Sequence, residues 1–269
     1  MYPYDILPGI DLYVIFLGLG VVAAIMTFSK LSDVIGIEGR VHNFALYTTI
    51  VSVVLGYGSA VLFQAFYNIA EEGRFVINKG TGATFYGGLI GGAATFLAIY
   101  FIAGHFVFKD KVHVGRIFDV TDGAAAAIVI AHSLGRIGCL MAGCCHGSIT
   151  ESWCGIYMVG LNAKVIPIQL FEALFLFALF VLFVVRIRHQ KSYNMPIYMI
   201  AYGVWRFFVE YLRSDDRGST FVSFLSPSQL TAVLMIIGGV ALILIMKYFK
   251  GKIEAKEALE TSENEAENE

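Results

Sequence analysis

Residues able to bind or transform an anionic ligand are concentrated in one stretch, HSLGRIGCLMAGCCHG, from His132 to Gly147. Arg136 can bind a phosphate through paired hydrogen bonds, and His132, one helical turn earlier, could face the same site. Four glycines permit a ligand or a second helix to approach the backbone closely. The stretch predicts either a polar site at a membrane face or a knot of cysteines held by a metal or a disulfide. The glycines are Gly135, Gly138, Gly143 and Gly147.

A second group of charged residues lies in YGVWRFFVEYLRSDDRG, from Tyr202 to Gly218. On a helix, Arg206 and Glu210 are four residues apart and Arg213 follows seven residues after Arg206, so all three share one face. Glu210 would fix the direction of the Arg206 guanidinium and leave its other donors for a phosphate. The alternative is an internal ion-pair network that only locks this helix.

Two further patches carry polar residues at predicted helix starts. In GTGATFYGGLIGG the glycines are spaced for close helix packing, whereas the hydroxyl of Tyr86 requires a hydrogen-bond partner. In IPIQLFEA, Gln169 and Glu172 begin an apolar segment. Glu172 is interpreted either as a snorkelling or capping carboxylate or as a member of the site.

The four cysteines leave several interpretations open. A local disulfide that joins Cys154 to Cys144 or Cys145 is favoured, because all four lie on the same predicted outer side, where disulfides form. A zinc site that includes His146 does not match the usual ligand spacing. Cys139 is the best candidate for a reactive thiol because it follows the arginine by three residues.

Composition places these groups in a membrane protein. Of 269 residues, 57% are hydrophobic and only 15% are charged, whereas soluble domains have about 25% charged residues. A net charge of −2 gives no basic surface for nucleic acid. Apolar runs of about 20 residues predict an all-α integral membrane protein with seven transmembrane helices. They are Leu12–Phe28, Phe44–Tyr67, Phe85–Phe108, Phe118–Leu134, Ile166–Val185, Met195–Leu212 and Leu230–Phe249.

Lysine and arginine residues in the loops predict the orientation. Twelve of the 19 follow the odd-numbered runs, so we expect the N-terminus outside the cell and the C-terminus in the cytoplasm. Residues 1–250 then form one seven-helix domain, and the acidic residues 251–269 are expected to form a disordered cytoplasmic tail. Both charged groups lie near the outer face in this topology.

Five segments of the chain resemble motifs of bacterial prolipoprotein diacylglyceryl transferases. GRIGCLMAGCCHG resembles the family's Gly-Arg-x-Gly-Asn signature, and FYGGLIGG resembles its Phe-His-Gly-Gly-Leu-x-Gly motif. YGVWRFFVEYLR is similar to Tyr-Gly-x-x-Arg-x-x-x-Glu-x-x-Arg, IPIQLFEAL to Pro-x-Gln-Leu-x-Glu, and LSPSQLTAVLMIIGG to the start of the last helix. The motifs follow the family order over nearly the whole chain, and the family fold has seven helices with the N-terminus outside.

The resemblance implies a reaction on phosphatidylglycerol at the outer side of the bacterial plasma membrane. Such an enzyme transfers the sn-1,2-diacylglyceryl group to the lipobox cysteine thiol of a prolipoprotein, releases glycerol-1-phosphate, and needs no metal or organic cofactor. Arg136, Arg206, Tyr86 and Glu210 fall at catalytic positions, with the arginines on the phosphate. Residues implied to contact the substrates are Gly138, Cys139, Gly143, Gly147, Gln169, Glu172, Tyr202 and Arg213.

Two positions differ from the family motifs in ways that concern the acceptor. Tyr86 stands where the family motif has a histidine that is implied to act as base, and a phenol with a pKa of about 10 is a poor base at neutral pH. Cys139 stands where the signature has asparagine. Tyr86 with an arginine, His132 or His146 could supply the base. The alternative functions are transfer of the same group to another acceptor and lipid binding without catalysis.

Overall fold

A computed structural model gives the architecture of the chain. It describes residues 4–7, 9–73, 75, 77–78, 81–82, 84–213 and 225–266, and the side chains of residues 70–72, 85–86 and 253–266 lie outside this description. The chain is mostly helical and divides into two compact units. One comprises Gly36–Val120, and the other combines Met1–Ile35 with Thr121–Glu269.

Helices make up most of the described chain. They are α1 (Leu12–Ile35), α2 (Gly39–Glu72), α3 (Phe85–Ala98), α4 (Gly104–Val107), α5 (Val112–Gly115), α6 (Ile117–Ala142), α7 (Ile168–Arg188), α8 (Asn194–Val209) and α9 (Pro227–Ala266). A π-helical turn, Ile99–Ala103, joins α3 to α4. Two antiparallel hairpins complete the fold, β1 (Asp5–Leu7) with β2 (Ile10–Asp11), and β3 (Ile156–Met158) with β4 (Ala163–Val165).

Six helical segments of the described chain are long and apolar enough to cross a membrane, which makes this a multi-pass membrane protein. They are Leu12–Ile35, Gly39–Ile69, Gly87–Val107, Ile117–Ala142, Ile168–Arg188 and Pro227–Lys252. The sixth of the seven predicted runs, Met195–Leu212, is not among these six segments. There α8 has 16 residues, and a 3₁₀ turn, Glu210–Leu212, follows it.

The last helix extends into the acidic end of the chain, and the disordered tail expected for residues 251–269 stays a prediction. Helix α9 continues without a break from its apolar part to Ala266. Residues 251–266 are rich in alanine, glutamate, lysine and leucine, which are among the strongest helix formers. Helix propensity therefore extends the last helix beyond the part that hydropathy defines.

Glycines hold the helical hairpin of the unit Gly36–Val120 together, as their spacing predicts. A Cβ on Gly56 would lie 3.0 Å from Gly92 Cα and 3.1 Å from Gly88 O, so α2 and α3 are in backbone contact at this point. The Thr84 amide donates to Ala60 O over 3.1 Å at the start of α3. Because the contacts run in opposite directions along the two helices, the hairpin is antiparallel.

The core of the other unit is a helical bundle that surrounds α6. Buried side chains from α1, α6, α7 and α8 form one apolar cluster, in which Val129, Leu176 and Phe183 are fully buried. Helices α8 and α9 form a second close hairpin, because a Cβ on Gly203 would lie 2.8 Å from Ala232 O. This bundle sets the positions of the charged side chains on α6, α7 and α8.

The first turn of α8 is held by a buried carboxylate of α6. Asp122 is 5% exposed, and its oxygens accept the backbone N–H groups of Tyr193, Asn194 and Met195 at 3.1, 2.6 and 3.4 Å. These are donors that a helix N-terminus otherwise leaves without partners. Asp122 thereby fixes where α8 begins relative to α6.

Candidate active site

A cluster of polar side chains is centred on the fully buried carboxylate of Glu172. Its Oε1 accepts the hydroxyl of Tyr202 at 2.6 Å and is 2.8 Å from Arg136 Nη2. His132 Nε2 is 3.8 Å from the same oxygen, and Nδ1 is 3.2 Å from the hydroxyl of Tyr198. We call these five residues the Glu172 cluster. Glu172 is therefore a partner of the arginine rather than a helix cap.

Three helices build this cluster, and each contributes a residue from a different position along its own length. Helix α6 extends to Ala142, beyond the predicted end of the run at Leu134, so Arg136 is on a helix rather than in a loop. Glu172 is on the second turn of α7, and Tyr202 is halfway along α8. Within the described residues, Arg136 Nε and Glu172 Oε2 are buried without a hydrogen-bond partner, so both groups can still bind a ligand or water.

One turn further along α8, Arg206 forms a second polar group with the start of α9. Its Nη2 is 2.9 Å from Glu210 Oε2 and donates to Ser228 Oγ at 2.8 Å. Ser226 in turn donates its hydroxyl to Glu210 Oε1 at 2.9 Å. We call Arg206, Glu210, Ser226 and Ser228 the Arg206 group. Arg206 Nη1 is buried and has no partner among the described residues.

Arg213 does not share the helix face predicted for it. Helix α8 ends at Val209, and after the 3₁₀ turn the backbone at Arg213 is extended, with φ −98° and ψ 151°. Its guanidinium instead donates to the carbonyl oxygen of Cys145 at 3.1 Å. The i, i+4 pair of Arg206 and Glu210 is found as the spacing predicts, whereas the i, i+7 relation to Arg213 fails because the helix stops.

The three glycines predicted to contact the lipid have contacts with protein. A Cβ on Gly138 would lie 3.3 Å from Tyr13 O, so this glycine lets α6 approach α1. A Cβ on Gly147 would lie 2.8 Å from Leu212 O, in the connection that leads to β3. Gly143 has φ +73° and reverses the chain after α6.

The cysteines are not joined in the predicted disulfide, since all four are free thiols. Cys154 Sγ lies 3.3 Å from Ser152 Oγ, whereas Cys144 and Cys145 fold back onto Cys139 at the end of α6. Hydrogen bonds from the thiols of Cys139 and Cys144, aided by positive charge at Arg213, lower the pKa of Cys145. The turn at Gly143 brings these three thiols together and leaves Cys154 apart.

Gln169 and Tyr86 complete the set of predicted residues. Gln169 is fully buried, donates its amide to Cys144 O, and leaves its Oε1 without a partner among the described residues. Tyr86 is in the first turn of α3, and its side chain lies outside the described part of the chain. Gln169 therefore holds the backbone of Cys144 in place through this hydrogen bond.

An apolar groove is lined by residues of α7 and α8 and by Leu212. Its volume is about 320 Å³, and its walls include Phe175 of α7 with Trp205, Phe208 and Val209 of α8. Phe175 and Trp205 stack with their ring centroids 4.4 Å apart. Trp205 and Val209 in its wall are close in the chain to Arg206, but no member of the Arg206 group is among the described residues that line the groove.

Comparison with known proteins identifies the family. Residues 5–245 match the family model described as prolipoprotein diacylglyceryl transferase. The chain belongs to this family. A relative named phosphatidylglycerol--prolipoprotein diacylglyceryl transferase 2, from Clostridium perfringens (strain 13 / Type A), is 34% identical over 91% of this chain and 94% of its own length.

Two further members of the prolipoprotein diacylglyceryl transferase family extend the comparison. Proteins named phosphatidylglycerol--prolipoprotein diacylglyceryl transferase from Finegoldia magna (strain ATCC 29328 / DSM 20472 / WAL 2508) and Clostridium tetani (strain Massachusetts / E88) are 31% and 30% identical to this chain. The alignments cover 93% and 88% of this chain, and 96% and 94% of the relatives. The similarity therefore extends over the whole bundle.

Sequence reasoning did not identify three polar partners in the two groups. Tyr198 was within an apolar run, and its role depends on facing His132 across two helices. Ser226 and Ser228 lie at the start of α9 and look like ordinary helix-start residues. The signal that could have found the serines is their position on either side of Pro227, which fixes the first helical turn.

Proposed function

We propose that this protein transfers the sn-1,2-diacylglyceryl group of phosphatidylglycerol to the lipobox cysteine thiol of prolipoproteins and releases glycerol-1-phosphate. Family membership over residues 5–245 and the names of the relatives support this assignment. The reaction is part of lipoprotein maturation and joins a lipid to a protein by a thioether bond.

One observation carries the assignment of the donor site. Arg206 holds two partners with Nη2, whereas its buried Nη1 has none in the described structure, and Trp205, its neighbour in the chain, lines the apolar groove. A cationic donor beside a hydrocarbon site suits a lipid with an anionic headgroup. The phosphate would bind at Arg206 with an acyl chain in the groove.

The chemistry requires stabilisation of charge on a leaving phosphate. The acceptor thiol loses its proton to solvent, its sulfur forms a bond to carbon 3 of the diacylglyceryl group, and the bond from that carbon to the phosphate oxygen breaks. The electron pair stays on the phosphate monoester, where Arg206 and Arg136 can stabilise it. Glu172 and Glu210 hold the two guanidinium groups in fixed directions.

The proposed topology has seven spans, with α8 as the sixth, the N-terminus outside and the C-terminus in the cytoplasm. The loop charges support it, because twelve of 19 lysines and arginines follow the odd-numbered runs. The Arg206 group then lies near the outer face of the bacterial plasma membrane, where a secreted prolipoprotein is accessible.

The deciding experiment measures release of glycerol-1-phosphate from phosphatidylglycerol by the purified protein, with and without a peptide that carries a lipobox cysteine. We expect release that depends on the peptide and a mass gain of one diacylglyceryl group on its cysteine. A peptide with serine at that position is the matched control. Lipid that stays bound without release under all conditions would contradict the proposal and favour lipid binding without catalysis.

A further inference from the structure

Three thiols converge where α6 ends. The sulfur atoms of Cys139, Cys144 and Cys145 all lie within 4.8 Å of one another, and none is in a disulfide. We propose that these three cysteines bind a zinc ion and that the fourth position of the ion binds the acceptor thiol. The binding of the acceptor thiol by the ion rests on the proposed function, whereas the zinc site itself does not.

The backbone around the thiols is fixed from several sides. The Cys144 amide donates to Cys139 O at 3.2 Å, which closes the turn at Gly143. Cys145 has φ +59°, a left-handed conformation that non-glycine residues rarely adopt and that is concentrated at functional sites. The carbonyl groups of Cys144 and Cys145 accept hydrogen bonds from Gln169 and Arg213. The three sulfur atoms are therefore held together before any ligand arrives.

The spacing fits a tetrahedral zinc site after a small contraction. Zn–S bonds of about 2.3 Å place two sulfurs of a tetrahedron about 3.8 Å apart, and the separations here do not exceed 4.8 Å. A disulfide would use two of the thiols and leave the third alone, whereas zinc uses all three. Thiolates are soft ligands that favour zinc over magnesium or calcium.

The ligand set leaves one coordination position open. Among the described residues the group has three members, and the neighbouring His146 has its Nδ1 2.8 Å from Gly147 O instead. Three protein ligands with one open position are typical of catalytic zinc. Cys144 is exposed, and Gly143 and His146, the residues on either side of Cys144 and Cys145 in the chain, line a cleft together with Met158. A peptide side chain can therefore reach the open position.

Zinc would give the acceptor thiol a way to lose its proton that does not depend on the Glu172 cluster or the Arg206 group. The buried carboxylates of those groups, Glu172 and Glu210, are each ion-paired with an arginine, and His132 is the imidazole of the Glu172 cluster. A thiol that coordinates zinc loses its proton to solvent. The zinc-bound sulfur then forms the bond to carbon 3 of the diacylglyceryl group, the carbon–oxygen bond breaks, and the phosphate keeps the electron pair.

The test begins with metal binding by the purified full-length protein, which is reduced, freed of metal and titrated with Zn²⁺ or with Co²⁺ as a coloured probe. We expect one ion per chain, with thiolate-to-cobalt absorption that C139S, C144S and C145S lose and that the matched control C154S keeps. A lipobox peptide should change the cobalt spectrum, and its serine version should not. Failure of the wild-type chain to bind zinc more tightly than C145S would overturn the site.

Transfer assays separate the two halves of the proposal. Removal of zinc should lower transfer by about 100-fold, the scale of losing an acid–base catalyst, and added zinc should restore it. Full transfer by the metal-free protein would overturn the role in acceptor activation and leave the proposed function intact. A protein that binds zinc but transfers no lipid to any lipobox peptide would support the metal site and overturn the proposed function.

Discussion

At the scale of single residues, the two arginines differ in what holds them. Arg136 has one carboxylate partner on another helix, so its position depends on the packing of α6 against α7. Arg206 has its carboxylate partner four residues later and a serine partner at the start of α9. The difference predicts that Arg206 acts mainly on the ligand, whereas Arg136 also holds the bundle together.

Replacement of Arg206 by alanine should lower the rate of transfer by about 10²–10³-fold, the usual cost of losing one donor to a developing negative charge. The protein should still insert, because Glu210 keeps the hydroxyl of Ser226 as a partner. Release of glycerol-1-phosphate and the amount of protein in the membrane fraction are the two measurements. R188A, at the exposed end of α7, is the matched control. Full activity of R206A would show that the phosphate binds elsewhere.

Within the Glu172 cluster, Y202F removes a hydrogen bond to a buried carboxylate. Such bonds contribute about 1.5–3 kcal/mol, so thermal unfolding in detergent should show a loss of this size. In an E172Q background the same change should cost less, about 1 kcal/mol, because the acceptor is then neutral. Equal losses in both backgrounds would show that Tyr202 and Glu172 do not interact through charge.

At the scale of elements, the start of α8 depends on Asp122. D122A removes the acceptor of three backbone N–H groups and should lower the free energy of unfolding by about 1–2 kcal/mol, as for other helix caps. D122N keeps one carbonyl oxygen, so its free energy of unfolding should lie between those of the wild type and D122A. Thermal unfolding of the detergent-solubilised protein measures this, and an unchanged midpoint for D122A would show that the cap contributes nothing.

The close contact between α8 and α9 requires a glycine, without a Cβ, at position 203. G203A would place a Cβ 2.8 Å from the carbonyl oxygen of Ala232, which is backbone and cannot rotate away. The two helices must then separate, at a cost of about 1–3 kcal/mol, and the distance from Arg206 to Ser228 must grow. G18A is the matched control, because a Cβ there would meet nothing within 4 Å. Transfer by G203A at the wild-type rate would contradict this account.

The elements also show which features can be predicted from sequence. Local relations were predicted well: hydropathy identified the apolar helices, and the four-residue spacing identified the pair of Arg206 and Glu210. Contacts between segments that are distant in the sequence were not predicted. The hydrogen bond from Tyr202 to Glu172, for example, depends on how α7 and α8 pack. The predicted disulfide was wrong because backbone angles at Gly143 and Cys145, which the residue types alone do not reveal, bring the thiols to Cys139.

At the scale of the whole molecule, the number of spans decides where the ends of the chain lie. Helices α7 and α8 and most of the apolar part of α9, in which Gly251 is near the end, lie between Trp153 and Gly251. If α8 crosses the membrane, these positions lie on opposite sides; if it does not, they lie on the same side. In a chain with its native cysteines changed to serine, a membrane-impermeant maleimide on intact cells should label W153C and leave G251C unlabelled. Trp153 is 96% exposed, so access will not limit the reaction.

The apolar groove lined by Phe175 and Trp205 has a further consequence for kinetics. Its walls include Val204 and Phe208, whose side chains are 42% and 64% exposed, so it opens sideways from α8. A lipid that enters this way keeps its tails in hydrocarbon and avoids an extraction cost of about 0.8 kcal/mol for each CH₂ group. The search for substrate is then a two-dimensional one, and the rate will follow the mole fraction of the lipid in the bilayer rather than its bulk concentration. The lipidated product, which carries the same two tails, can diffuse away through the same opening.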